Sequence, residues 1–288
     1  MNVAIRPAVP ADAEACGRII YDAFKDDIAD RHGFPPHYPN VEVAIQRATS
    51  CISHPSIFGL VAESEGQIIG SNFLDERDPI RGLGPITVDP QVQVRGTGRR
   101  LMEAVLERAH DAAGVRLVQD SFNMLSMSLY ASLGFEIKEP LLLMRGKPAG
   151  KPLLGIEVRP LKSEDLDECA ELCRRVHGFE RLNELKDALQ SLSPLVALRE
   201  GRIVAYATAV TRFSRNHAVA EADEDMKALL LGAAAMNAEP LSFLLPVRQA
   251  SFFGWCLSEG LRAVMPMTMM TMGQYQEPDG SYIPSVLY

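Results

Sequence analysis

Two stretches of this chain repeat one another in the same order. Ile5-Arg6-Pro7, with Asp12 and Cys16 behind it, returns as Val158-Arg159-Pro160 with Asp165 and Cys169, an offset of 153 residues (158 − 5). Leu60-Val61-Ala62 and Glu65-Gly66-Gln67-Ile68-Ile69 return as Leu195-Val196-Ala197 and Glu200-Gly201-Arg202-Ile203-Val204 at an offset of 135 (195 − 60). A weaker match sets Leu133-Gly134-Phe135-Glu136 against Glu259-Gly260-Leu261-Arg262 at an offset of 126 (260 − 134). A chain made of two related copies is restricted to folds that one copy can build twice. Its 288 residues suit two compact domains of roughly 100–200 residues. Chance similarity between two amphipathic αβ chains is the competing reading. The segment Gly146-Lys147-Pro148-Ala149-Gly150-Lys151-Pro152 has the composition of a linker, which predicts domains over 1–147 and 153–288.

Within the first copy the patterning predicts a strand at 3–6, helices near 11–24 and 41–52, and strands at 57–63 and 67–74 joined at Glu65-Gly66. A third strand is expected at 83–88. A helix over 97–113 carries Leu101, Met102, Val105, Leu106 and Ala109 on one stripe, with Gly114 as its stop. A strand at 115–118, a helix at 126–133 and a strand at 135–144 complete the copy. This order predicts an α/β chain of the α+β kind: two domains in tandem, each a mixed, mostly antiparallel sheet flanked by helices.

Composition narrows the function. A formal charge of −8 disfavours a protein that grips nucleic acid, whose phosphates need clustered Lys and Arg. Cys16, Cys51, Cys169, Cys173 and Cys256 are scattered and form no CxxC pair, so neither a disulfide framework nor a zinc site is indicated. No run of about 18–20 apolar residues is present, and the opening residues lack a signal-peptide pattern. A cytoplasmic protein that touches neither membrane nor nucleic acid is expected, as monomer or homodimer.

The chemistry is concentrated at Gln93-Val94-Arg95-Gly96-Thr97-Gly98-Arg99-Arg100, between a strand ending at Val88 and a helix beginning near Thr97. Glycines there let backbone amides approach an anion, and the helix dipole favours negative charge. The glycine spacing alone also suits a tight strand-to-helix turn, and Leu101 stands where a dinucleotide fold would carry its third glycine.

The wider pattern Val88-x-Pro90-x-x-Gln93-x-x-Gly96-x-Gly98-x-x-Leu101, then Asn123, Leu129-Tyr130 and Leu133-Gly134-Phe135, closely resembles the GNAT N-acetyltransferase superfamily. The resemblance implies acetyl-CoA as cosubstrate; no metal is expected, because the cysteines and histidines show no ligand spacing. It places the coenzyme's pyrophosphate on Gln93, Val94, Arg95, Gly96, Thr97, Gly98 and Arg99, and the thioester carbonyl beside the strand Ile86, Thr87, Val88. It gives Asn123 to the pantetheine arm and puts the Tyr130 hydroxyl near the thioester sulfur. Independently of that likeness, attack of an amine on a thioester expels a thiolate, which a positioned proton donor assists. A tyrosine, with a reference pKa of about 10, can be that donor. Tyr130 is the catalytic candidate; an ordinary half-buried aromatic is the other reading.

Many members of the superfamily place a glutamate on the strand before the loop, whereas here the segment is Leu83-Gly84-Pro85-Ile86-Thr87-Val88. Asp120, Glu76 and Asp78 remain open as general base, each also readable as plain solvated charge. Resemblance puts the acceptor wall at 30–38. In the second copy the loop's place is taken by Val219-Ala220-Glu221-Ala222-Asp223-Glu224-Asp225, and Tyr130 is matched by Cys256. Four carboxylates repel a diphosphate, so 153–288 is expected to be a degenerate copy that does not bind coenzyme A. The run from Met265 to Met272 is expected to be a core strand. The expected activity is transfer of an acetyl group to a primary amine of a small molecule or peptide. The alternative is an acyl-CoA sensor without turnover.

Overall fold

The computed structural model describes residues 3–92 and 96–287. The chain divides into two compact units, Met1–Leu117 with Phe122–Phe135, and Val118–Ser121 with Glu136–Tyr288.

The first unit contains β1 (Val3–Pro7), α1 (Ala13–Phe24), α2 (Val41–Ser53), β2 (Ile57–Ser64), β3 (Gln67–Asp75), β4 (Ile80–Leu83), β5 (Thr87–Val88), α3 (Thr97–Arg108), the start of β6 (Gly114–Asp120) and α4 (Met124–Ser132). Its sheet runs β1-β2-β3-β4-β6, antiparallel except for the parallel pair β4–β6. Apolar side chains at helical spacing on α1 and α2 (Cys16, Ile20, Ala44, Ala48, Cys51) meet Val61 and Phe73 of the sheet. The two helices cross closely because Gly17 has no side chain; a Cβ there would lie 2.4 Å from the Ile45 Cα. On α3 the stripe residues Leu101, Met102 and Val105 are fully buried.

Two expected boundaries shift. The strand expected at 83–88 is broken into β4 and β5, because Gly84 turns to φ +130° and Pro85 has no N–H to give a ladder. The helix expected over 97–113 ends at Arg108. Arg81 donates to the Arg108 carbonyl (3.1 Å) and pairs with Asp111 (3.0 Å), which caps and turns the chain early. Gly114 therefore opens β6 instead of stopping a helix.

The second unit continues with β7 (Glu136–Gly146), β8 (Ile156–Pro160), α5 (Leu166–His177), α6 (Leu182–Ser191), β9 (Leu195–Arg199), β10 (Arg202–Ala207), β11 (Ala218–Ala220), α7 (Asp223–Met236), β12 (Leu241–Pro246), α8 (Ala250–Ser258), β13 (Arg262–Gly273) and β14 (Ser281–Ile283). One sheet is β14-β11-β10-β9-β8, antiparallel throughout. In the other, β7 lies between β13 and β12, antiparallel to both. The compact units thus do not follow chain order, since β7 groups with the second half. α7 seals the core through Met226, Leu229, Leu230 and Ala233. On β13, Met265, Met267 and Met269 alternate inward, and a register shift after Met269 buries Met270 as well.

The three sequence matches have matching local geometry. Arg6 donates twice to Asp12 (2.8 and 3.0 Å) while Asp12 also accepts the Val9 amide (2.9 Å). Arg159 donates twice to Asp165 (2.7 and 2.8 Å), which accepts the Lys162 amide (2.8 Å). Both hairpins turn through positive φ at Glu-Gly, with Glu65 and Glu200 each at 52°. α4 and α8 end alike, with Phe135 N donating to Tyr130 O (3.1 Å) and Leu261 N to Cys256 O (3.0 Å) across a left-handed glycine.

Candidate functional site

The site in the first unit is built at the end of β5. Thr87 and Val88 pair with Ser71 and Gly70 of β3, and β5 has no other strand partner among the described residues. Its second edge therefore leaves backbone groups without ladder partners, unlike β4, which is paired on both sides. Ile86 precedes the strand and is half-buried. The chain then turns at Asp89, whose Oδ1 accepts the Gln91 amide (2.8 Å) and whose carbonyl accepts the Val92 amide (3.0 Å). Gln93, Val94 and Arg95 lie outside the described residues.

Gly96 resumes the chain at φ +86° and caps α3 without any side-chain hydrogen bond. The first bond inside the helix is Arg100 N to Gly96 O (3.0 Å), so the amides of Gly98 and Arg99 belong to the turn that helix geometry leaves without intrahelical acceptors. At Gly98 a Cβ would stand in ordinary contact, 3.7 Å from Leu129 of α4 and 3.9 Å from Val88 of β5, so this end of α3 lies beside both elements. Thr97 is buried. Arg99 donates to the Ser132 hydroxyl (2.5 Å). The start of α3 is thus held against the turn of α4 that carries Tyr130.

Tyr130 is 6% exposed, with its ring edge-on to Phe135 at 6.3 Å. α4 is oriented by Asn123, whose Oδ1 accepts the Ser126 amide (2.9 Å) as N-cap. Its Nδ2 donates to Asp27 Oδ2 (2.8 Å). Both ends of the Asn123 carboxamide are thus engaged, Oδ1 by Ser126 and Nδ2 by Asp27.

Asp27 lies on a π-helical turn, Lys25–Arg31, that continues α1. Such turns recur at functional sites, and nothing in the local sequence pattern announced this one. The segment beyond it, expected as an acceptor wall, is fixed by rings. Phe34 stacks on Phe122 at 4.8 Å, His32 meets the same ring at 4.5 Å, and His37 and Tyr38 meet Phe24. His32 and His37 thus face different aromatics.

Of the carboxylates left open as base, Glu76 is bound to Arg108 (3.0 and 3.1 Å) and lies 3.5 Å from Arg81. Asp78 sits in the loop between β3 and β4, and Asp120 is buried at the end of β6 among residues of the second unit. In the second unit, α7 opens on Asp223, Glu224 and Asp225 after the capping residue Ala222. Asp225 is buried against Arg199 (2.7 Å). Cys256, matched to Tyr130, is fully buried, and desolvation pushes its thiol up to about 12.

Residues 55–137 match the family model described as an acetyltransferase (GNAT) domain. A Pyrococcus horikoshii protein assigned as an acetyltransferase has the same fold over 97% of this chain and 94% of its own, with 16% identity and a TM-score of 0.74. A GCN5-related N-acetyltransferase of Sphaerobacter thermophilus matches over 96% and 98%, with 16% identity and a TM-score of 0.62. A tandem GNAT protein of the clavulanic acid biosynthesis pathway matches over 96% and 100%, with 13% identity and a TM-score of 0.58. No curated protein sequence matches the chain. The fold is that of the GNAT acetyltransferases, in a two-domain arrangement. No helix among the described residues is long and apolar enough to cross a membrane.

Proposed function

We propose that the first unit binds acetyl-CoA and transfers its acetyl group to a primary amine of a small molecule or peptide. The observation that carries this reading is the convergence of β5, the glycine-capped start of α3 and the Tyr130 turn of α4, joined through Gly98, Val88, Leu129 and the Arg99–Ser132 hydrogen bond. The amides of Gly98 and Arg99 and the helix dipole favour a diphosphate at that helix end. Gly96 has no side chain to occupy it. Extended along the open edge of β5, the pantetheine arm would bring its thioester carbonyl to the backbone of Ile86, Thr87 and Val88. An N–H there stabilises the oxyanion.

The neutral amine attacks the thioester carbon, the C–S bond breaks, the Tyr130 hydroxyl supplies the proton that the departing thiolate takes up, and the proton shed by the acylated nitrogen passes to water, from which the Tyr130 hydroxyl is restored. Asn123 would meet the pantetheine arm while its side-chain cap holds the start of α4 in place. Residues 1–147 would carry the activity, and 153–288 would not bind coenzyme A: three acids open α7, and a buried thiol stands where Tyr130 would recur. The absence of a carboxylate from 83–88 favours a second reading, a sensor that binds the acyl-CoA without turnover.

A screen of amines, amino acids, polyamines, aminoglycosides and peptides with thiol detection separates the two. The enzyme reading expects at least one acceptor to release coenzyme A above the rate of hydrolysis. Tight acyl-CoA binding with no responding acceptor would establish the sensor.

A further inference from the structure

The second unit encloses a polar cluster that the first unit lacks among its described residues. Cys173 and His177 stand four residues apart on the last turns of α5, which puts them on one helix face. His217 arrives from the residue before β11. Its backbone is pinned from both sides by Thr208, whose amide donates to His217 O (2.9 Å) and whose hydroxyl accepts the His217 amide (2.8 Å). One ligand atom from each of Cys173, His177 and His217 lies within 4.8 Å of the other two, and all three residues are buried. Neither ring nitrogen of His217 has a hydrogen-bond partner although the residue is 1% exposed, and both amide atoms of the neighbouring Asn216 are likewise unbonded at 0% exposure.

A buried imidazole without a hydrogen bond is costly unless something accepts its lone pair. We propose that Cys173, His177 and His217 form a binding site for one divalent ion of the zinc class. One sulfur with two imidazoles is a donor set that selects such an ion over magnesium or calcium. Nδ1 of His217 lies 3.5 Å from Glu184 Oε2, which leaves Nε2 for the ion and places a carboxylate where it orients the ring. Glu184 also pairs with Arg181 (2.9 Å), which offsets that guanidinium's charge beside the site. Binding breaks the Cys173 S–H bond, forms a metal–sulfur bond and releases one proton to solvent. The ion would tie the end of α5 to the chain just before β11, with its fourth coordination position left to water.

Full-length protein purified without a chelating tag, analysed for metals by mass spectrometry, is expected to hold about one zinc per chain, falling at least tenfold in His217→Gln. Because a buried substitution can unfold the unit, wild type stripped by chelator and reloaded with Co2+ provides the second readout. It should show thiolate-to-cobalt charge-transfer absorption with tetrahedral d–d bands, and the charge-transfer band should vanish in a Cys173→Ser protein that keeps its circular dichroism. Metal at blank level together with no charge-transfer band after reloading overturns the site, as does a band that survives Cys173→Ser. Neither readout involves acyl transfer, so the outcome is independent of the first unit's activity.

Discussion

Tyr130 is the residue on which transfer, as distinct from binding, depends. Its hydroxyl acts only when the thiolate departs, so Tyr130→Phe is expected to lower kcat by about 10²- to 10⁴-fold and to leave the KM for acetyl-CoA little changed. Steady-state kinetics with the responding acceptor checks this, and an unchanged kcat would make Tyr130 a packing residue. Gly96 makes the opposite prediction. At φ +86° with nothing within 4 Å of the Cβ position, Gly96→Ala pays only for backbone strain, about 1–2 kcal/mol in chemical denaturation, and keeps coenzyme binding.

Between residue and fold lie the two Arg–Asp clamps. Asp12 and Asp165 are each buried and held below the usual carboxylate range, first by the hydrogen bonds from Arg6 and Arg159 and then by a backbone amide. A carboxyl lowered on folding stabilises the native state above its unfolded value of about 3.9 and loses that contribution as pH falls from there toward the depressed native value. Asp12→Asn and Asp165→Asn should therefore each destabilise at pH 7 by about 1–3 kcal/mol and flatten the acid limb of stability against pH. Denaturant titrations from pH 7 down to pH 2 read both effects, and equal acid sensitivity in wild type and variants would contradict the clamp. Asn123→Ala should cost about 1 kcal/mol through the lost cap of α4, again by denaturation.

At this scale much was legible beforehand. The hairpins, the α3 stripe and the repeated clamp are written in spacings that local physics enforces: period two, period 3.6, and an acid at a fixed distance from a strand-end arginine. The break at Gly84-Pro85 and the early end of α3 were not, because one needs a tertiary choice of which edge each half-strand pairs with and the other a cap from Arg81. The tie from Asp27 to Asn123 and the gathering of Cys173, His177 and His217 escaped for the same reason, since residues 96 and 44 positions apart (123 − 27; 217 − 173) meet only through the fold.

For the whole chain, the linker-like segment at 146–152 and the compact units divide the sequence differently. β7 precedes that segment but is bonded on both edges to strands from beyond it, β12 and β13. A fragment ending at 147 would carry β7 with two open edges, a template for aggregation. Fragment 1–147 is accordingly expected to be less soluble than the full chain, with fast amide exchange over 136–146. A soluble fragment with slow exchange there would contradict this account of β7.

The central claim is that the glycine-capped start of α3 grips the diphosphate of an acyl-CoA. Isothermal calorimetry of acetyl-CoA with full-length wild type and with Gly96→Glu tests it most directly. The new carboxylate has room beside the backbone and should act by repelling the phosphates. One binding event per chain is expected in wild type and none in the variant at unchanged circular dichroism. Absence of heat with wild type, or equal affinity in the variant, would contradict it.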